Sequence, residues 1–234
     1  MKGIYVIARK EIRLFLHNPQ LLISAVIFSL VFGLISGPAV IVATPGVTFS
    51  QVYSLLVSLS LMTGLLIGYL LSGQTFLREK QEGTIETLLA GPLPLRQIWL
   101  GKVIGVLVPA YILTLFSSVL MIGLASAMSG QWTLPPAQII LHMIVVVPAF
   151  IASGVGLLGF VQLLLGMREN QIINIVVIFG LIFIISFSRE LIGPGFEITW
   201  SSEGLFLTIA LVLILITRGL TRVLDKEKIV RTIP

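Results

Sequence analysis

The chain has 234 residues, of which 56% are hydrophobic and 11% are charged, and its formal net charge is +5. Soluble domains carry roughly 25% charged residues. With a mean hydropathy of +1.08, these values argue against a soluble domain and indicate a protein with several membrane spans. The sequence contains no cysteine, which excludes disulfides, Cys-ligated zinc and thiol catalysis.

Residues 1–18 predict an amphipathic helix in the membrane interface. At about 100° per residue, the basic side chains, among them Arg9, Lys10 and Arg13, gather on one side. The opposite side carries Ile4, Tyr5, Ala8, Ile12 and Phe15. Such a helix places its apolar side in the acyl boundary and its basic side toward anionic headgroups. These charges also interrupt the apolar region that a cleaved signal peptide would need.

Six apolar runs long enough to cross about 30 Å of hydrocarbon follow. They predict spans at 20–43, 52–77, 103–128, 137–165, 171–188 and 204–218. The fourth run contains Pro148, so we expect that span to tilt or break. We expect 189–203 to re-enter the membrane from outside. The predicted fold is an all-α polytopic membrane protein with a single transmembrane domain over 1–234.

The basic residues predict the orientation of the spans. With both termini in the cytoplasm, the cytoplasmic side receives the basic residues within 2–13, 78–102 and 218–231, together with Arg168. Of the 15 Lys and Arg residues, only Arg189 falls on the other side. Lys102 is expected to anchor the third span at the inner headgroups, and Glu203 to lie among the outer connections. The tail 219–234 would be cytoplasmic.

Small residues recur every four positions in the second span, at Ser60, Gly64, Gly68 and Ser72. Such a stripe lets two helices approach closely in lipid. Helix packing within the subunit is the simplest interpretation, with Gly64 and Gly68 at the contact. A seam between two copies of the chain and a pore-lining stripe are the alternatives.

No pattern in the sequence predicts a catalytic residue or a metal site. The G-x-G-x-x-G at Gly154, Gly156 and Gly159 lies inside an apolar span, where a dinucleotide site would need a preceding strand and an opening to solvent. The sequence has neither a P-loop nor H-E-x-x-H, and its one aspartate is Asp225. Apart from Arg218 at the very end of the last one, the predicted spans hold no charged residue, which argues against ion-coupled transport. His142 is expected to be a packed or pore-facing polar residue near the outer leaflet.

The segment 78–102, REKQEGTIETLLAGPLPLRQIWLGK, interrupts the apolar runs with charge. Its first charged residues are expected to be solvated: Glu79, Lys80 and Glu82. A short helix over 84–89 would follow, ended by Gly91, Pro92 and Pro94. A short, cornered helix between two spans can dock a soluble domain and transmit its movement as a rigid body.

This segment resembles the cytoplasmic signature of ATP-binding cassette (ABC) type-2 transporter permeases. The resemblance rests on Glu79 and Glu82, then Gly83-Thr84-Ile85-Glu86, a Leu-Leu pair, a proline break and a terminal Gly-Lys. It extends to the basic interfacial helix, six spans and a long external connection before the last span. The end of the segment, GPLPLRQIWLGK, is also similar to the haem-exporter permease of cytochrome c maturation.

The resemblance implies an exporter in a prokaryotic cytoplasmic membrane. It would work as a homodimer or a paired half-transporter, with ATP and Mg bound by separate ATP-binding subunits. The resemblance also implies that the segment is a coupling helix for the ATPase, through Glu79, Glu82, Gly83, Thr84, Glu86, Leu88, Leu89, Pro92 and Pro94. The exported substrate would be hydrophobic or amphipathic. The alternatives are a noncatalytic membrane anchoring or assembly protein and a secondary transporter.

The distribution of basic residues makes topology testable. Reporter domains fused after residues 130 and 195 should read as external, and those fused after residues 90 and 234 as cytoplasmic, because basic connections are retained inside. Alkaline phosphatase and fluorescent-protein fusions measure the two sides. An external reading at residue 90 would overturn both the orientation and the coupling assignment.

Overall fold

The computed structural model describes residues 2–43, 48–130, 134–166, 169–173, 175–177 and 198–220. Across these ranges the chain is helical and contains no strand. We label the helices α1 (Lys2–His17), α2 (Pro19–Ala43), α3 (Phe49–Gln81), α4 (Thr84–Ala90), α5 (Leu95–Ser129), α6 (Ala137–Leu164) and α7 (Trp200–Leu220). Short helical stretches at 169–173 and 175–177 lie between α6 and α7.

Five of these helices, α2, α3, α5, α6 and α7, are long and apolar enough to cross a membrane. They coincide with five of the six predicted spans, so the chain is an all-helical, multi-pass membrane protein. The predicted span at 171–188 begins in the described helical residues, but most of it lies outside them. The predicted re-entrant segment 189–203 and the tail 219–234 also lie mostly outside the described residues.

Helix α3 is longer than the apolar run that predicts it. After Ser72 it passes through a π-helical turn, Gly73–Leu77, and continues as α-helix over Arg78–Gln81. Its 33 residues span about 50 Å at 1.5 Å per residue, whereas the hydrocarbon core is about 30 Å thick. The charged end of α3 therefore lies beyond the apolar part of the bundle.

Helix α6 is continuous over Ala137–Leu164, so the break considered for the fourth span does not occur. A π-helical turn, His142–Val146, directly precedes the segment that carries Pro148. The Val147 amide bonds the His142 carbonyl, five residues back. Proline has no N–H and its ring crowds the carbonyl four residues earlier, and a π-turn is one way in which a helix accommodates that mismatch.

The small-residue stripe of α3 lies in the contact with α6. A Cβ added to Gly64 would lie 2.7 Å from Ile151, and one added to Gly68 would lie 2.9 Å from Val155. Four residues beyond Gly68, the Ser72 hydroxyl donates a buried hydrogen bond of 2.9 Å to Gln162 of α6. Close approach of the two backbones thus depends on glycine at these positions.

Helix α1 packs against the start of α5 through its apolar side. Gly101 and Gly105 of α5 lie against Ile7 and Glu11, where an added Cβ would lie 2.7 and 2.5 Å from side-chain atoms. Ala8 is also buried, so the expectation that it lies in the acyl boundary is wrong. Tyr5 remains exposed. Part of the apolar face of α1 that hydropathy assigned to lipid therefore packs against α5 instead.

Candidate functional site

The candidate site is built around the end of α3, residues Arg78–Gln81, which we call the charged turn. Its four side chains do not point the same way. Arg78 and Gln81 are exposed, whereas the Lys80 side chain is completely buried and that of Glu79 is 13% exposed. The turn therefore directs one charge, that of Arg78, toward solvent or a partner and the charges of Glu79 and Lys80 into the protein.

Glu79 lies in an ionic cluster with Lys10, Glu11 and Lys102. The ammonium of Lys102 lies 2.7 Å from Glu79 Oε2 and 3.1 Å from Glu11 Oε1. Lys10 lies 2.7 Å from Glu79 Oε1 and 3.5 Å from Glu11 Oε1. Two carboxylates thus face two ammonium groups, and the four charges balance. The cluster joins α1, α3 and α5.

The Lys102 ammonium makes two further contacts with α3. It donates a 2.7 Å hydrogen bond to the Thr75 carbonyl, in the π-helical turn of α3, and lies 5.5 Å from the centre of the Phe76 ring. The Lys102 side chain is 1% exposed. An ammonium removed from water needs opposite charge and hydrogen-bond acceptors, and here the π-helical turn and the cluster supply both.

Lys10 is the solvent-facing member of the cluster, with a side chain that is 46% exposed. Partial burial alone would lower the pKa of Lys10. The hydrogen bond to Glu79, together with the charges of Glu11 and Glu79, outweighs burial and raises that pKa above its usual value. Lys10 is therefore charged at neutral pH and closes the cluster on its outer side.

Lys80 ties the charged turn to the end of α6. Its ammonium donates hydrogen bonds of 2.9 Å to the Leu163 carbonyl and 2.5 Å to the Leu165 carbonyl. The last carbonyls of a helix lack partners within the helix and carry the negative end of its dipole. Asn170 donates to the carbonyls of Gln162 and Leu165 as well. A cation from α3 therefore caps α6.

Helix α4 is set at an angle to α3 by a glycine corner. Gly83 has φ of +68°, a left-handed conformation that side chains with a Cβ rarely adopt. The Thr84 hydroxyl donates a 3.2 Å hydrogen bond back to the Glu79 carbonyl. Ile85 is buried against the bundle, and Glu86 is exposed on the other side of α4. The corner thus presents one face of a fixed short helix.

The remaining coupling residues divide between that face and the core. Glu82 is exposed and pairs with Arg78 at 2.7 Å, while Leu88 packs partly against the core. The side chain of Leu89 lies outside the described part of the structure. Pro92 and Pro94 are exposed, and the Pro94 carbonyl accepts the Gln97 amide at 2.8 Å as α5 begins.

Two expectations about charge are wrong. Glu79 and Lys80 are not solvated, because Lys80 is buried and Glu79 is mostly buried in the ionic cluster. Lys102, expected to anchor the third span, is buried in the same cluster. A signal for this was present in the sequence: Glu79 continues, at intervals of four, the buried positions Leu71 and Thr75. Lys102 lies between the buried Ile98 and Val106 in the same way. Hydropathy weighs each charge separately and so misses this pairing across helices.

A cleft of about 560 Å³ opens beside the cluster, between the α1–α2 corner and the ends of α3 and α5. Its walls are mixed, with polar groups such as Gln74 and Glu79 and apolar ones such as Leu71 and Val106. Within the described residues, no group of three or more His, Asp or Glu side chains could hold a metal ion.

The ionic cluster predicts a large effect of Lys102→Met on stability. The variant leaves two carboxylates against one half-exposed ammonium, and removing one partner of a buried pair costs about 3 kcal/mol. Arg78→Gln is the matched control, because the Arg78–Glu82 pair is exposed and its loss costs below about 1 kcal/mol. Thermal unfolding in detergent measures both, and equal effects would contradict the assigned role of the cluster.

Comparison with known proteins does not assign the chain to a family. No model of a known protein family matches it, and no curated protein matches it.

Proposed function

We propose that the chain is the permease subunit of an ABC transporter of the type-2 exporter class. ATP would be hydrolysed by a separate subunit, and the permease would move a hydrophobic or amphipathic substrate outward across the cytoplasmic membrane of a prokaryote. The observation that carries this proposal is the corner at Gly83, where an exposed short helix is joined to buried charges that tie three other helices together.

The contacts supply a path for movement from α4 into the spans. A force on α4 reaches the charged turn through the Thr84–Glu79 hydrogen bond and the backbone at Gly83. From the turn, Glu79 acts on Lys102 of α5 and Lys10 of α1. Lys80 acts on the end of α6. Through the charged turn, α4 is thus linked to three other helices, α1, α5 and α6, and such a linkage would let them move with α4 as a rigid body.

The face offered to the ATPase subunit carries two exposed carboxylates, Glu86 on α4 and Glu82 beside it. Glu82 pairs with the exposed Arg78 at 2.7 Å, so Glu86 is the carboxylate that a basic or polar groove on the partner would complement most directly. Charges at the rim of an interface tune specificity and association rate, whereas packed apolar contacts hold it together. Because Leu88 already packs partly against the core, the exposed carboxylates give a cleaner test of docking than Leu88 does.

The proposed transporter needs two further components, a second permease and an ATP-binding subunit. A second copy of the permease, or a paired one, would complete the translocation path, with both sets of termini in the cytoplasm. ATP and Mg would belong to the partner, since the chain has no P-loop. A noncatalytic anchoring protein would use the same docking face but would not stimulate ATP hydrolysis, so hydrolysis separates the two functions.

Charge reversal on α4 tests this function. Glu82→Lys combined with Glu86→Lys should weaken association with the candidate ATP-binding subunit, ideally one encoded beside this chain's gene, by about tenfold or more, since roughly 1.4 kcal/mol gives that factor. Stimulation of ATP hydrolysis in reconstituted bilayers should fall with it. Copurification and hydrolysis rates are the two measurements.

Ser201→Lys is the control for this experiment, because Ser201 is exposed at the start of α7, at the opposite end of the bundle from α4. It should leave both association and ATP hydrolysis unchanged. Wild-type assembly and hydrolysis in the α4 double variant would move the partner interface elsewhere. Assembly without any stimulation of hydrolysis by the wild-type chain would favour the anchoring function.

A further inference from the structure

A second set of buried charges lies at the opposite end of the bundle from the charged turn. His142 Nδ1 and Glu203 Oε2 are 2.9 Å apart, and the side chains are 0% and 1% exposed. His142 lies in the π-helical turn of α6, and Glu203 lies in the first turn of α7. Glu203, which we expected among the outer connections, therefore lies within α7 and is buried.

The surroundings of the pair are largely apolar. The Phe206 ring of α7 meets the imidazole edge-on, with ring centres 5.8 Å apart. The backbone of Val57 on α3 faces the imidazole. From α5, the Tyr111 hydroxyl approaches but donates to the Met143 carbonyl at 3.0 Å. Among the described residues, Glu203 Oε1 has no hydrogen-bond donor, so His142 is the group that compensates the carboxylate.

The burial of the pair limits its charge. A neutral imidazole beside an ionised carboxylate would leave a net negative charge in a low-dielectric interior, which is strongly unfavourable. One shared proton removes that charge, either as imidazolium with carboxylate or as imidazole with carboxylic acid. A second proton would create a net positive charge at the same cost. The neutral pair therefore holds one proton in addition to the N–H that a neutral imidazole already carries.

We propose that His142 and Glu203 form a proton-binding site that holds one proton between Nδ1 and Oε2 and so clamps α6 to α7. When the two helices separate and water reaches the pair, the carboxylate gains solvation and the imidazolium releases its proton to water near neutral pH. Proton binding and release thus accompany closing and opening of the α6–α7 contact. This inference goes beyond the proposed exporter function and does not depend on it.

The site lies near the start of α7. Glu203 lies three residues after Trp200, which is 59% exposed at the start of α7. The pair is therefore one helical turn from the boundary of the bundle. The π-helical turn that carries His142 is a local departure from regular helix, a feature frequent at functional sites.

The chain has two histidines, and this makes the proposal directly measurable. His142 is buried, whereas His17 is exposed at the end of α1. The full chain, labelled with ¹⁵N-histidine and placed in lipid nanodiscs, gives nitrogen spectra from two imidazoles, and His17→Gln assigns them. Infrared difference spectra between the wild type and Glu203→Gln report whether the Glu203 carboxyl carries a proton.

From about pH 5 to about pH 8, the proton shared by His142 and Glu203 should remain. Either an imidazolium at His142 or a protonated carboxyl at Glu203 fulfils this expectation. Glu203→Gln should leave His142 neutral across the range. A neutral His142 beside an ionised Glu203 in the wild type would overturn the proposal, as would an imidazolium that persists in Glu203→Gln.

Discussion

The structure depends on the pairing of Lys102 with Glu79 and Glu11. An ammonium that is 1% exposed is tolerated only because two carboxylates and a backbone carbonyl surround it. The four-residue turn at the end of α3 can therefore dock on α5 and α1 at once, while Lys80 from the same turn caps α6. Without the ionic cluster, the charged segment would be a solvated loop between two spans, and α4 would have no fixed orientation relative to the bundle.

The two polar clusters differ in what they can do. The one at the charged turn has four balanced charges, two of them contributed by α1, and connects an exposed helix to the spans. The one at His142 and Glu203 is a single pair in apolar surroundings, and its charge balance depends on a proton. The first suits the transmission of force, and the second suits a contact that opens and closes. A transporter driven from one side needs both a fixed linkage and a contact that can change.

Much of the fold follows from the sequence, because hydropathy over long windows reports burial in lipid directly. Five spans and the helix that precedes them were predictable. The partners of Glu79, Lys80 and Lys102 were not, since nothing local tells that Lys80 meets the carbonyls of residues more than eighty positions later. Glu203 was assigned to the outer connections for the same reason: its partner is on another helix. Helix packing decides which charges next to a span are buried.

The central claim is that the ionic cluster holds α4 and α1 as one rigid unit. Because the chain has no cysteine, spin labels can be attached at Thr87→Cys on α4 and Leu14→Cys on α1, both exposed positions. Double electron–electron resonance spectroscopy then measures the distance between the two labels. The wild-type background and the Arg78→Gln background should each give one narrow distance distribution, and Lys102→Met should broaden it. A distribution in Lys102→Met as narrow as that of the wild type would contradict the account.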